Sequence, residues 1–311
     1  MLGTSGWSYR DWVGPFYESE TESKLKFYSS VFKTVEIDST FYSYPSRGVI
    51  YGFLRATPED FVFAAKIPRD ITHKKRLVNV RGELKRFCDL MKPLAEAGKL
   101  GCLLVQLPPR MRKSCSLLER FLDSFPSGFR VAVEFRDESW LDEEVFKVLE
   151  RFKAAYTIVD EPLLPPITRV TADFAYIRWH GRGEKPWYNY RYKLEELEEW
   201  VPRVKEVESK AKVVFGYFNN HFHGYAVENC LQILKLLGKL SPAQEEVLNR
   251  VEEYRRKRPR GVLPPVKVPP INRLVRMRVK DLLSVLMDPR RLKRASEISS
   301  EEVVVEEFSS D

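Results

Sequence analysis

The stretch VAVEFRDESW, residues 131–140, decides the fold, because it reads as a core strand that ends in charge. Val131, Ala132 and Val133 are residues that a sheet covered on both faces prefers. Glu134 and Arg136 follow two residues apart, and residues i and i+2 of a strand share a face. A carboxylate and a guanidinium therefore leave the apolar run on one side, and Trp140 stands beyond them on a loop.

Seven similar runs flank this one: LGTSGW (2–7), TVEIDSTF (34–41), FVFAAKI (61–67), GCLLVQLP (101–108), AAYTIVD (154–160), FAYIRWHG (174–181) and KVVFGYFNN (212–220). Amphipathic stretches at 23–32, 83–98, 143–152 and 194–209 carry helical periodicity between them. Strand alternating with helix implies parallel pairing, and eight such units within 240 residues predict an α/β (β/α)8 barrel of the TIM type. Residues 1–240 are expected to form that barrel. Residues 241–311 are expected to form a basic, partly extended C-terminal appendix with a linker, an amphipathic helix at 271–287 and an acidic tail.

Active sites of such barrels sit at the C-terminal strand ends, and the polar residues fall there. The expected catalytic groups are Glu36, Glu134, Asp160 and His180. The expected substrate-binding groups are Trp7, Asp38, Tyr42, Lys66, His73, Gln106, Arg136, Trp140, Arg178, Tyr188, Asn219 and Asn220. Ordinary solvation of a barrel rim also places polar groups at strand ends, and an aromatic ring near a loop most often packs under it. The apolar starts of the same strands favour a functional cluster.

Seven blocks, GTSGWSYRDWVGPFY (3–17), TVEIDSTFY (34–42), AAKIPRDITHKKRL (64–77), LLVQLPP (103–109), VAVEFRDESW (131–140), IRWHG (177–181) and YFNNHFHGYAVEN (217–229), together resemble the YecE-like family, known as domain of unknown function 72. The resemblance runs from about residue 2 to about residue 238. It implies a TIM-like barrel and supplies no reaction. Asp38 departs from the family pattern, which more often has Asn there, and adds an acid at the end of the second strand.

Three functions remain open on the residues alone. In the first, a nucleic-acid-associated phosphodiesterase or nuclease-like hydrolase, Lys66, Arg136 and Arg178 would neutralise phosphate. Aromatic rings would then stack on bases, with Glu36 or Glu134 as base and His180 as acid. In the second, a carbohydrate or other small-molecule enzyme, paired carboxylates would do the chemistry; Lys66 offers a Schiff base there, or else an ion-pair partner for Glu36 or Glu134. In the third, a binding module, Glu134 and Arg136 would be a fixed brace. A divalent metal is the one cofactor considered: His221 and His223 with His180 and Asp160 are candidate ligands, although no H-E-x-x-H spacing occurs.

Composition sets the remaining bounds. The chain of 311 residues is 43% hydrophobic, ample for a core. It has no apolar run of transmembrane length and no leader pattern, so a cytoplasmic location without membrane contact is expected. Its 31% charged content matches the composition of heat-adapted chains. Cys88, Cys102, Cys115 and Cys230 lack metal or disulfide spacing and read as small buried residues. The net charge of +8 is unevenly spread: residues 255–294 hold fourteen Lys or Arg against Asp281 and Asp288. Such a segment is expected to meet DNA or RNA. Residues 297–311 carry six acids around a short β-prone core, a peptide suited to a protein partner.

Overall fold

Eight parallel strands pair in chain order and close into a barrel in this computed structural model, which describes residues 1–257 other than residue 185. They are β1 (Leu2–Ser5), β2 (Thr34–Ile37), β3 (Val62–Lys66), β4 (Leu100–Gln106), β5 (Val131–Glu134), β6 (Ala155–Asp160), β7 (Phe174–Trp179) and β8 (Val213–Phe218). Closure pairs Leu2 with Gly216 and Thr4 with Phe218. The eight-stranded α/β barrel expected from the sequence is therefore the fold.

The helices described around it are α1 (Lys24–Val31), α2 (Arg47–Ala56), α3 (Arg81–Glu96), α4 (Cys115–Asp123), α5 (Glu143–Arg151), α6 (Leu194–Glu198), α7 (Trp200–Lys210), α8 (Tyr225–Leu236) and α9 (Pro242–Lys257). α5 illustrates the local logic. Asp142 caps its first turn by accepting from the Glu144 amide at 2.8 Å, and Val145, Phe146, Val148 and Leu149 form the buried stripe. The single helix expected at 194–209 is two, because the ring of Pro202 blocks the carbonyl four residues back and so ends α6 at Glu198. Between β6 and β7 the chain crosses without a helix.

The interior of the barrel is an apolar cluster of its own. Ala64, Cys102, Leu104, Ala132, Ala155, Phe174, Tyr176, Phe215 and Tyr217 fill it, while a larger cluster occupies the layer between strands and helices. Alternation along each strand then fixes which side chains reach the mouth. Two residues on from Ala64, Leu104, Ala132, Tyr176 and Tyr217 lie Lys66, Gln106, Glu134, Arg178 and Asn219.

Residues Met1–Lys257 form one compact unit. The boundary expected at residue 240 falls between α8 and α9, and α9 lies with the barrel. Leu248 and Val251 are buried, Gln244 donates to the Val31 carbonyl at 2.8 Å, and Arg250 donates to the Phe16 carbonyl at 2.7 Å. Arg255, counted with the basic segment, donates to the buried Glu228 of α8. The helix expected at 271–287 and the acidic stretch at 297–311 lie outside the described residues. No helix among the described residues is long and apolar enough to cross a membrane. All four cysteines are free, with Cys88, Cys102 and Cys230 buried.

Candidate functional site

A chain of alternating charges crosses the C-terminal mouth of the barrel. Arg178 of β7 is 1% exposed at its side chain and holds two acids at once: Nη1 donates to Glu134 at 2.7 Å and Nη2 to Glu36 at 2.6 Å. Glu36, at the end of β2, also accepts from the Ser5 hydroxyl at 2.5 Å and the Tyr176 hydroxyl at 2.6 Å. Its two oxygens are thus fully engaged inside the barrel.

Arg136 continues the chain from the other side of Glu134. Its guanidinium pairs with Glu134 and with Glu161, and Nη2 lies 2.9 Å from Nε2 of His180. That nitrogen is also 3.2 Å from Oε1 of Glu134, and the side-chain amide of Asn219 is 3.0 Å from Nδ1 of the same ring. The two residues of the opening stretch, Glu134 and Arg136, do share a side, as their spacing requires.

Electrostatics separates the two acids that Arg136 joins. Burial pushes Glu134 up, but Arg136 and Arg178 outweigh it and hold the carboxyl well below its usual range. For Glu161 burial dominates and, despite the pull of Arg136 and with the repulsion of Glu134 added, raises it to about 7. His180 is driven down to about 3, by burial first and by Arg136 next, so its ring is neutral. Three buried atoms in this group have no hydrogen-bond partner, Oε1 of Glu161, Nε of Arg136 and Nε of Arg178, while Oε1 of Glu134 is met by the Arg136 ion pair and by His180.

A second pair borders the first. Lys66 donates to Asp38 at 3.1 Å and stands 4.1 Å above the Phe41 ring. Burial opposes the charge on Asp38, yet Lys66 and Arg178 hold it below its usual range. His73 meets the edge of Phe41 and is lowered to about 4, by burial and then by Lys66. Gln106 ends β4 in register with Glu134. On the rim Tyr42 is 67% exposed and Tyr188 37% exposed, while Trp7 packs edge-on against Phe53.

Three expected site residues point elsewhere. Asp160 lies on the outward face of β6, where Arg182 grips both of its oxygens and Trp200 of α7 donates to one of them. Asn220 is fully buried behind the mouth and ties the Tyr190 carbonyl to Asn229 of α8. Trp140 has no exposed surface: it stacks on Phe135 at 4.8 Å and donates to the Met111 carbonyl. It is a core residue under its loop and presents no face to a ligand.

Glu161 is the member that sequence reasoning missed, and strand parity would have found it. With Ala155 pointing inward, every second residue leads to Glu161, not to its neighbour Asp160. The metal grouping considered for His180, His221, His223 and Asp160 does not form. Asp160 is taken by Arg182 and Trp200, and His221 stacks on Tyr9 at 4.2 Å. Among the described residues no three His, Cys, Asp or Glu side chains are grouped to hold a metal ion.

Comparison with known proteins agrees with this fold. A family profile described as protein of unknown function DUF72 matches residues 1–252. The UPF0759 protein YunF of Bacillus subtilis is 29% identical over 265 residues, which cover 76% of this chain and 94% of that protein. The UPF0759 protein YecE of Escherichia coli is 32% identical over 136 residues, 43% of this chain and 47% of that protein. Among solved structures, a DUF72 family protein from Thermotoga maritima superposes with a TM-score of 0.69 at 34% identity, covering 76% of this chain and 98% of that one. Another from Enterococcus faecalis does so with a TM-score of 0.69 at 26% identity, covering 77% and 95%. With the profile spanning the whole barrel, the chain belongs to the DUF72 family.

Proposed function

We propose that the barrel mouth is the active site of a small-molecule enzyme in which Glu134 is the base or nucleophile and Glu161 the general acid. One observation carries this reading: two carboxyl groups bound to the same arginine are displaced in opposite directions, Glu134 well below its usual range and Glu161 up to about 7. Acid and base roles at neutral pH are assigned by that kind of separation. Arg178 fixes Glu134 from the opposite side, and Tyr176 and Ser5 fix Glu36 beneath it.

The second reading is the phosphodiesterase or nuclease acting on DNA or RNA. Its specific support is the excess of fourteen Lys and Arg over two Asp in residues 255–294. Within the barrel, the guanidinium groups of Arg136 and Arg178 already hold carboxylates, so a phosphate would have to displace Glu134 or Glu161 to reach them.

A panel of uncharged nitrophenyl esters and glycosides, run beside bis(nitrophenyl) phosphate across pH 5–9, separates the readings. Turnover of an uncharged substrate that Glu161→Gln and Glu134→Gln each reduce roughly 10²- to 10⁴-fold is the expected result. Turnover confined to the phosphodiester, or unaffected by both substitutions, overturns the proposal.

A further inference from the structure

Beside the charged chain stands a group of near-parallel aromatic rings. Tyr9 lies on His221 with centroids 4.2 Å apart and planes 4° apart. Tyr188 lies 5.5 Å from the same imidazole at 23°, and Phe222 lies 4.8 Å from it at 22°. The Tyr9 hydroxyl donates to the Ser5 carbonyl at 2.8 Å, and Ser5 itself donates to Glu36, so this group shares an edge with the acid site.

The loop that presents Tyr188 is anchored from several sides. Gly181 has φ of +101°, and a Cβ there would fall 2.4 Å from the Trp187 carbonyl oxygen, so the turn requires glycine. The Gly181 amide donates to the Tyr192 hydroxyl at 2.8 Å. Asp160 holds Arg182, Asn220 holds the Tyr190 carbonyl, and Glu228 holds Arg191. These buried groups, two of which point away from the mouth, thus order a loop whose tip leaves Tyr188 37% exposed. The stack on His221 and Phe222 holds the Tyr188 ring in place, and the face that stays exposed is available to a ligand.

The surroundings define the chemistry of that ligand. Tyr42, 67% exposed, neighbours both Asp38 and Tyr188, whose fields add to burial in raising its hydroxyl. The two buried arginines of the mouth are committed to acids and so are not offered to an anion, while Arg69 stands toward Tyr42 on the rim. Asp38 and Lys66 offer an acceptor and a donor beside the rings. A ligand with a flat apolar face and uncharged hydroxyl edges meets all three conditions.

We propose that the exposed faces of Tyr188 and Tyr42 form a subsite for an uncharged sugar ring whose hydroxyls are read by Asp38 and Lys66. The substrate of the Glu134 and Glu161 site is then a glycoside. This inference rests on the acid–base reading for the bond cleaved and on the tyrosines for binding.

Binding and turnover are measured separately. The labelled full-length protein is applied to a glycan array, and the strongest oligosaccharide is titrated by calorimetry, with adenosine as a flat uncharged control. Expected is a glycan that binds wild type and Glu161→Gln alike, binds Tyr188→Ala and Tyr42→Ala roughly three- to tenfold more weakly at unchanged Tm, and binds Tyr188→Phe and Tyr188→Trp normally. No glycan signal, equal binding by Tyr188→Ala, or tyrosine-dependent binding of adenosine in place of sugars overturns the subsite. Tyrosine-dependent glycan binding with glycoside turnover indifferent to Glu161→Gln upholds the subsite and sinks the acid–base reading instead.

Discussion

Arg178 and Glu36 meet at 2.6 Å across the inside of the barrel, joining β7 to β2, two strands that are not hydrogen-bonded neighbours. The same guanidinium holds Glu134 of β5 at 2.7 Å, so three strands are tied through one buried side chain. Replacing it leaves two buried carboxyl groups facing each other. Arg178→Met is expected to lose about 3–5 kcal/mol in urea unfolding. Arg178→Lys, whose single ammonium reaches one acid at a time, should lose less. A loss below about 1 kcal/mol for Arg178→Met would mean that the two acids are accommodated without it.

Glu161 and His180 give stability opposite slopes with pH. Between the ordinary value of 4.5 and about 7, the folded chain keeps a proton on Glu161 that the unfolded chain has released, so stability falls as pH rises. Between about 3 and the ordinary 6.5, folded His180 is neutral while the unfolded ring is protonated, so stability falls as pH drops. The two slopes oppose each other between 4.5 and 6.5, but His73, lowered to about 4, adds to the slope of His180, so wild type is expected to gain stability with rising pH there. Relative to wild type, Glu161→Gln should gain stability more steeply with rising pH and His180→Gln less steeply, each slope differing by up to about 1.4 kcal/mol per pH unit. Unfolding curves of Glu161→Gln that parallel wild type would contradict this.

Arg136 contacts Glu134, Glu161 and His180, three groups that lysine cannot reach together. On the proposed acid–base reading, Arg136→Lys is expected to lower kcat, leave KM unchanged and move the limb set by Glu161 to higher pH, because an ammonium keeps the charge but cannot contact Glu134 and Glu161 together, so that Glu161 loses the close cation that holds it down. A rise in KM with an unmoved pH profile would instead make Arg136 a substrate-gripping residue.

Because α9 lies with the barrel, the place of a truncation matters. A chain ending at Lys257 should keep the Tm of the full chain. One ending at residue 240 uncovers the core beneath Leu248 and Val251, each worth roughly 1.5–3 kcal/mol, and removes Arg255 from Glu228. The 257-residue version also isolates the basic segment in gel shifts on single-stranded and duplex DNA and RNA. Binding that falls log-linearly with salt and disappears with residues 258–311 is expected. Equal binding by both chains would move the polyanion contact onto the barrel.

The barrel was legible because its strand interiors are almost purely apolar and their order is regular. The mouth was legible in part, since counting in twos from Ala132 or Tyr176 reaches Glu134 and Arg178 without a structure. Asp160 and Asn220 were misread because polarity at a strand end was noted without its parity. Trp140 was misread because a tryptophan after a strand looks the same in sequence whether it caps the core or faces a ligand. α2, RGVIYGFLRA, escaped notice because two glycines and β-branched residues depress its helix propensity. Glu228 with Arg191 and Arg255 joins residues 27 and 37 apart, a pairing that no local pattern announces.

The closing of β1 onto β8 has a consequence for synthesis. A chain emerging from the ribosome makes Glu36 and Glu134 first and Arg178 only with β7, while β1 keeps an open edge until β8 arrives. Incomplete chains therefore carry the interior Glu36 without its counter-ion, and Glu134 with Arg136 alone, together with an unpaired edge that invites aggregation. Because Arg178 arrives only with β7, nascent fragments that end before it are expected to be degraded faster than the full barrel.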